Sequence, residues 1–475
     1  MNKYLFFLGP VLNDWQAAPL VEQIEENKNI NDCSIIYCAY HSGRCTSNIF
    51  GSKLVCKECN KNVEYIRKEF YPKHKFIPVI QKGPLKEEIK HDNAITVSAV
   101  STINSNLRPL QNEWTENQEQ ILNLTIDYGE SFYNETTNLL NRDDIDKIFF
   151  YNGRVFPSSI IELGAKVKNI EYVGLELNAS GTQYYTTANH KIHDIDKGRD
   201  HIKALIKFKY TNEEHKIANE FFEENFARQK KFKKFDPGEI NNKKYIVIFT
   251  SSDDELSSLG PEWGSPFTKS IIQSIEKIIS RMSDDFFIIR LHPNQLGQGD
   301  KVRKIYEEIQ KKYNNVKIFY PSDKVNSYSI INASKCVISF GSTISVEATF
   351  LKKPSILLGV QKYDRSGVVY TPDNFEQLYI LLKNKNLESC SISGAFAYAL
   401  YASRAGASFR HINGDIGSYK LNNVYLMPRP SFFYLFVKFI IQLKYKRKDK
   451  GFRNILRLAL IKLRLFNLKK DNSIW

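Results

Sequence analysis

No stretch of this 475-residue chain approaches the roughly 18 uninterrupted apolar residues of a membrane-spanning helix. A secretion leader is not expected either, because Lys3 is followed only by the short run Tyr4–Leu8 before Gly9-Pro10 breaks it. The chain holds no internal repeat and no low-complexity block, which removes solenoid architectures. Acidic residues are scarce in one place: residues 438–470 carry twelve Lys and Arg against Asp449 alone. That excess of +11 leaves only +4 of the net +15 for the rest of the chain, so the basicity belongs to the tail. With 42% hydrophobic and 25% charged residues the chain is globular, and it is long enough for two domains plus extensions. A cytoplasmic location is expected.

The tail's charges flank apolar sequence. Phe432–Leu443 has one lysine in twelve residues, and Phe452–Leu468 sets Phe452, Ile455, Leu456, Ala459, Leu460, Leu463 and Leu465 among Arg453, Arg457, Lys462 and Arg464. Basic amphipathic helices of this kind suit the interface of an anionic membrane. The plainer reading packs them on the core with a solvated basic face. Nucleic acid is not the expected partner, since its binding needs basic residues spread over a folded face among aromatic platforms.

Five of the seven cysteines crowd into the first 60 residues. Cys38, Cys45, Cys56 and Cys59 end in a CxxC knuckle, so a tetrahedral structural zinc is one reading. Buried, inert thiols beside a strand are the other. Disulfides are not expected in a cytoplasmic chain.

Short apolar runs alternate with amphipathic segments, the pattern of βα units and a parallel sheet. Strands are predicted at Lys3–Leu8, Cys33–Cys38, Ala94–Val100, Lys147–Tyr151 and Ile170–Leu177, with residues 39–93 rich in loops. Asp236-Pro237-Gly238 closes a charged helical stretch, and Tyr245–Thr250 opens a second lobe. The expected plan is therefore α/β: a Rossmann-like lobe over 1–196, a helical linker over 197–240, a second Rossmann-like lobe over 241–385, and a helical extension with the basic tail over 386–475.

The second lobe carries the chemistry. Phe286–Leu291 and Cys336–Phe340 read as strands buried on both faces, ending in Arg290-Leu291-His292-Pro293 and Phe340-Gly341-Ser342-Thr343. Ligands of open α/β sheets collect beyond the carboxyl ends of the strands. Ile344–Leu351 reads as a helix directly after the second run, which makes Ser342 and Thr343 an anion-binding corner. A phosphate-bearing ligand between His292 and that corner is the expectation.

Two Rossmann-like lobes with the ligand signature in the second form the architecture called GT-B. The runs IFTSSDDE (248–255), IIRLHPN (288–294), Asp323 with Ser327-Tyr328, and SFGSTISVEATFLKKPSILLG (339–359) resemble bacterial capsule and surface polysaccharide glycosyltransferases. That resemblance covers roughly 110 residues of the second lobe. Asn152-Gly153-Arg154, Glu176 and His193-Asp194 are similar to weaker elements of the same group. The His-Pro and Ser/Thr elements also resemble those of sialyl- and Kdo-transferases, which implies a CMP-activated donor. The resemblance implies a nucleotide-sugar donor and a glycan or glycolipid acceptor of a capsule or lipopolysaccharide, with the enzyme peripheral at the inner face of the cytoplasmic membrane.

The departing nucleotide gathers negative charge, so hydrogen-bond donors around it speed the step. His292 is read as a donor to a phosphoryl oxygen, Ser342 and Thr343 as further donors, and Glu347 as an acceptor for ribose hydroxyls. Arg290, Ser251 and Ser252 complete the donor set. Asp14 and Glu255 are the candidates for the base that takes the acceptor's proton. Arg154 is the candidate for an anionic acceptor. Neither Asp144-Ile145-Asp146 nor Asp194-Ile195-Asp196 follows a strand as a metal-binding pair would, so no catalytic cofactor is expected. Alternatives of the same architecture are a nucleotide-sugar 2-epimerase and a non-catalytic scaffold of a polysaccharide assembly complex.

Overall fold

The computed structural model describes residues 2–80, 93–107, 114–141, 144–178, 181–251, 259, 261–293, 295, 300–404, 406–432 and 434–436. The strands are β1 (Lys3–Leu8), β2 (Asp32–Cys38), β3 (Lys75–Val79), β4 (Lys147–Tyr151), β5 (Glu171–Leu177), β6 (Gln183–Ala188), β7 (Tyr245–Phe249), β8 (Phe286–Arg290), β9 (Val316–Phe319), β10 (Cys336–Ser339) and β11 (Ser355–Leu357). Four two-residue strands follow: β12 (Ala407–Ser408), β13 (Ile412–Asn413), β14 (Lys420–Leu421) and β15 (Val424–Tyr425). The helices are α1 (Asp14–Asn27), α2 (Lys53–Phe70), α3 (Asn93–Leu107), α4 (Glu116–Leu140), α5 (Ser158–Val167), α6 (Ile195–Ala204) and α7 (Asn212–Gln229). After them come α8 (Ile271–Arg281), α9 (Asp300–Lys312), α10 (Ser327–Ala333), α11 (Ile344–Phe350), α12 (Phe375–Lys383) and α13 (Ile392–Arg404).

The chain divides into two compact units. The first holds residues 1–107, 115–192 and 406–475, and the second 108–114 and 193–405. The stretch read from sequence as a linker, α6 and α7, belongs to the second unit. Part of the expected C-terminal extension returns to the first.

The first unit is built on a sheet in the order β12-β6-β5-β4-β1-β2-β3. Strands β1 to β5 run parallel, and β6 and β12 are antiparallel additions at one edge. The returning segment is held by carboxylates of α1. Glu22, fully buried, accepts the amides of Arg410 (2.7 Å), His411 (3.1 Å) and Ile412 (3.1 Å).

Two expectations in this unit are corrected. Ala94–Val100, rich in β-branched residues, lies inside α3. Ile95, Ala99, Thr102 and Ile103 are all buried, which is the i, i+4, i+7, i+8 stripe of a helix, so tertiary packing overrides propensity. Within the stretch 39–93 expected to be rich in loops, the described residues contain α2 and β3. In α2, Val55, Cys56, Val63 and Ile66 form the buried face, so the CxxC knuckle is part of a helix.

The second unit is built on a five-stranded, all-parallel sheet in the order β11-β10-β7-β8-β9. Every residue of β7 and of β10 is buried. Alternate side chains enter different cores: Ile246, Ile248, Phe287, Ile289 and Ile338 pack on one face, and Tyr245, Val247, Phe249, Ile288 and Val337 on the other. This two-sided burial is why these runs read as continuous apolar sequence.

Candidate functional site

Register decides which residues meet at the sheet's carboxyl edge. Ser339 of β10 pairs with Phe249 of β7, and Phe249 pairs with Arg290 of β8. Two residues past that line come Gly341, Ser251 and His292, each just beyond its strand's end. Because β7 separates β10 from β8, the ends of those two strands are about 10 Å apart. A ligand touching both corners must bridge over Thr250 and Ser251.

The His292 corner is fixed from beneath by two residues the sequence did not single out. The His292 amide donates to Thr250 Oγ1 (2.9 Å) and to Gln295 Oε1 (3.0 Å). Thr250 Oγ1 in turn donates to Gln295 Oε1 (2.7 Å), and the Gln295 amide donates to the His292 carbonyl (3.0 Å). Thr250 and Gln295 are buried while His292 is half-buried, so the imidazole is carried on a braced turn at the rim. Ser251 is buried just beyond β7.

Arg290 takes a different part from the expected one. Its guanidinium donates to the carbonyls of Tyr320 and Asp323 (3.0 Å to the latter), tying β8 to the turn after β9. Burial holds its pKa below the usual arginine value. Asp323 Oδ2 also accepts the Tyr320 amide (2.8 Å), so that resembling residue holds the same turn.

At the other corner Gly341 has φ +133°, a conformation L side chains rarely adopt. Gly359, just past β11, packs against the Phe340 main chain so closely that an added Cβ would stand 2.2 Å from the Phe340 carbonyl oxygen. The first amides of α11 are satisfied within the turn. Ile344 N–H donates to Ser342 Oγ (3.3 Å), Ser345 N–H to the Ser342 carbonyl (3.2 Å), and Val346 and Glu347 N–H to the Thr343 carbonyl (3.0 and 3.1 Å). What this corner offers a ligand is accordingly the Gly341-Ser342-Thr343 turn itself. Thr343 is exposed and Ser342 half-buried.

Glu347 points inward. Its carboxylate accepts Tyr328 OH (2.9 Å), Thr343 Oγ1 (3.4 Å) and Asn225 Nδ2 (3.4 Å). Burial raises its pKa, and the hydrogen bonds from Tyr328 and Thr343 and the charge of Arg228 offset that only in part. It braces Thr343 from α7 and α10.

The remaining candidates lie in the first unit or outside the described residues. Ser252 and Glu255 lie outside them, as does the basic tail at 438–470. Asp14 is in the first turn of α1, buried, with Oδ1 accepting the Gly417 amide (3.1 Å) and Oδ2 the Tyr419 amide (3.2 Å). Both oxygens thus hold the returning segment. Arg154 lies two residues after Asn152, whose φ of +47° makes the turn after β4; burial raises the pKa of the neighbouring Glu176, and hydrogen bonds and the charge of Arg154 offset that only in part. Glu176 also accepts Tyr151 OH (2.8 Å) and Asn152 Nδ2 (2.6 Å).

Cys38, Cys45, Cys56 and Cys59 do come together, lining one cavity of about 20 Å³ with Tyr40, Tyr128 and Pro157. Among the described residues no three His, Cys, Asp or Glu side chains are grouped to hold a metal ion. Burial pushes the Cys38 thiol up to about 11 and the Cys59 thiol to about 12. Cys56 Sγ accepts Asn48 Nδ2 (3.2 Å) and Cys59 Sγ the Val11 amide (3.2 Å). Among the described residues no helix is long and apolar enough to cross a membrane.

Comparison with known proteins places this edge in a family context. Residues 167–402 match the profile of the family described as capsule polysaccharide biosynthesis protein. No curated protein matches the chain. Among solved structures, the chain is similar to the KpsC beta Kdo 2,4 transferase of Thermosulfurimonas dismutans, with 14% identity over 54% of this chain and 79% of that one, TM-score 0.36. The beta Kdo 2,7 transferase of the same protein gives 17% identity over 56% and 80%, TM-score 0.35. The UDP-GlcNAc 2-epimerase of Neisseria meningitidis gives 13% over 85% and 98%, TM-score 0.29. At such scores these are loose likenesses and carry nothing about activity.

Proposed function

From the match of residues 167–402 to the capsule polysaccharide biosynthesis protein family, we propose that this chain is a glycosyltransferase. It moves a sugar from a nucleotide-sugar donor to a growing capsule or lipopolysaccharide glycan. The observation that carries the reading is the register of the second unit's sheet, which lines up Ser251, His292 and the Gly341–Thr343 turn along one carboxyl edge within the matched segment.

In the reaction the acceptor hydroxyl attacks the anomeric carbon, a base takes its proton, and the sugar–phosphate bond breaks with the electron pair leaving on the nucleotide. Donors fixed before the reaction lower the cost of that charge. Ser342 and Thr343 supply them on one side and His292 on the other, its imidazole able to donate in either protonation state. Glu347 acts by bracing Thr343. The base is not Asp14, whose oxygens are committed to amides, and Glu255 remains the candidate.

Transfer needs no metal in this proposal. Asp146 Oδ2 accepts the Lys3 amide (2.7 Å), Asp194 caps α6 through the Lys197 amide (2.9 Å), and Asp196 bonds Arg199 (2.9 Å), so both candidate acidic pairs have structural work. A CMP-activated donor and a membrane-surface location through the basic tail complete the reading.

A thermal-shift series with CMP, UDP, GDP and CDP on the full chain tests it. One nucleotide should raise Tm, and His292→Ala should abolish that rise. Product analysis then separates the classes: transfer requires an acceptor, whereas epimerisation proceeds on nucleotide sugar alone. A wild-type chain that binds none of the four nucleotides would sink the proposal.

A further inference from the structure

The loop after β11 holds the Gly341–Thr343 turn from behind. Gln361 Nε2 donates to the Gly341 carbonyl (2.9 Å), and the buried Tyr363 hydroxyl donates to the Ser342 carbonyl. A peptide unit is planar and trans, so each carbonyl and the amide N–H after it point in opposite directions. Drawing the Gly341 carbonyl toward Gln361 turns the Ser342 N–H the other way. Drawing the Ser342 carbonyl toward Tyr363 does the same to the Thr343 N–H. Two successive amides facing one side form a concavity suited to an anion.

The loop that does this is itself clamped. Asp364 Oδ2 accepts the Gln361 amide (3.3 Å), and Arg199 grips Asp364 with two hydrogen bonds, Nε to Oδ1 at 2.8 Å and a second from its other arm. Arg199 and Asp364 are both largely buried, and Arg199 also bonds Asp196 (2.9 Å). Helix α6 packs close against the loop: a Cβ at Gly198 would stand 2.5 Å from Lys362 Cδ.

We propose that Gln361 and Tyr363, locked by the Arg199–Asp364 pair, are positioning residues that preset the Ser342 and Thr343 amides toward the donor's phosphate. This rests on the reading of the turn as the donor site. Neither residue touches the donor. Their effect reaches it through two peptide planes and is felt by the bound phosphate nearly as much as by the departing one, so it falls mainly on affinity.

The test uses the full-length chain with Tyr363→Phe, Gln361→Met and Arg199→Lys. Tyr370→Phe serves as a control, because its hydroxyl bonds the Glu388 carbonyl (3.0 Å) away from the turn. Calorimetric titration with whichever of CMP, UDP, GDP and CDP stabilises wild type should show affinity about five- to tenfold weaker for Tyr363→Phe and Gln361→Met, the scale of one hydrogen bond. The donor KM should rise in step with kcat within about twofold, and Tyr370→Phe should match wild type. If wild type binds nucleotide and these variants bind it equally well, the positioning role is overturned while the donor-site reading stands. The positioning role is equally overturned if Tm falls and kcat falls with it while KM holds. If wild type binds none of CMP, UDP, GDP and CDP, the donor-site reading fails and this inference with it.

Discussion

The contact between Gly359 and Phe340 gives a sharp prediction about the edge of the second sheet. A methyl group added at Gly359 would lie 2.2 Å from the Phe340 carbonyl oxygen and 2.8 Å from its carbonyl carbon, where real contacts stay above 3.0 Å. Both partners are backbone, so β10 and β11 must part by about 1 Å at their ends. The Leu358 amide donating to the Ser339 carbonyl (2.8 Å) and the Gln361 side chain donating to the Gly341 carbonyl (2.9 Å) cross that gap. Overpacking costs about 1–3 kcal/mol, and losing two hydrogen bonds adds about 1 kcal/mol each. Gly359→Ala should therefore destabilise the second unit by about 3–5 kcal/mol. Gly198→Ala is the matched control: its methyl meets only the flexible Lys362 side chain, and the gain in helix propensity of about 1 kcal/mol offsets the displacement. Urea unfolding followed by circular dichroism reads both midpoints. If Gly359→Ala loses no more than Gly198→Ala, the steric argument is wrong.

Other outcomes follow from buried groups. Glu347 has a folded pKa above the ordinary carboxylate range, so its contribution to stability is full below that range and is lost as pH rises through the raised value. The Tm difference between wild type and Glu347→Gln should shift in favour of the variant on going from pH 4 to pH 7, and a pH-independent difference would refute this. Glu22→Ala leaves three amides of the returning segment without their acceptor, at about 1–3 kcal/mol each, and limited proteolysis should then cut near residues 406–412. The four clustered thiols should react slowly with a thiol reagent in the folded chain, and metal analysis should find no stoichiometric zinc. One tightly held zinc per chain would overturn that account.

The second sheet was readable because β7, β8 and β10 are buried on both faces, which leaves an unbroken apolar signature with abrupt polar ends. His292 and Ser342-Thr343 stood out for the same reason. Thr250, Gln295, Gln361 and Tyr363 did not, because they act through single hydrogen bonds to main chain and leave no local pattern. In the first unit α3 hid behind its β-branched residues and α2 behind its cysteines, which pack there as small hydrophobes. Strand β6 and the β13–β15 sheet were missed, since two-residue strands offer no periodicity and β6 buries Tyr184 alone while exposing Thr186 and Ala188. Arg290, Asp14 and Glu347 were recognised as important, but the sequence could not tell a ligand group from one that holds neighbouring backbone or side chains.

The first unit's dependence on residues 406–435 has a consequence during synthesis. Those residues emerge from the ribosome only after roughly 200 residues of the second unit, about 10–40 s at ordinary elongation rates. Through that interval Glu22 and Asp14 lack the amides of the returning segment, and β6 is an open edge awaiting β12. The second unit can close first, and the first is sealed only when residues 406–435 arrive.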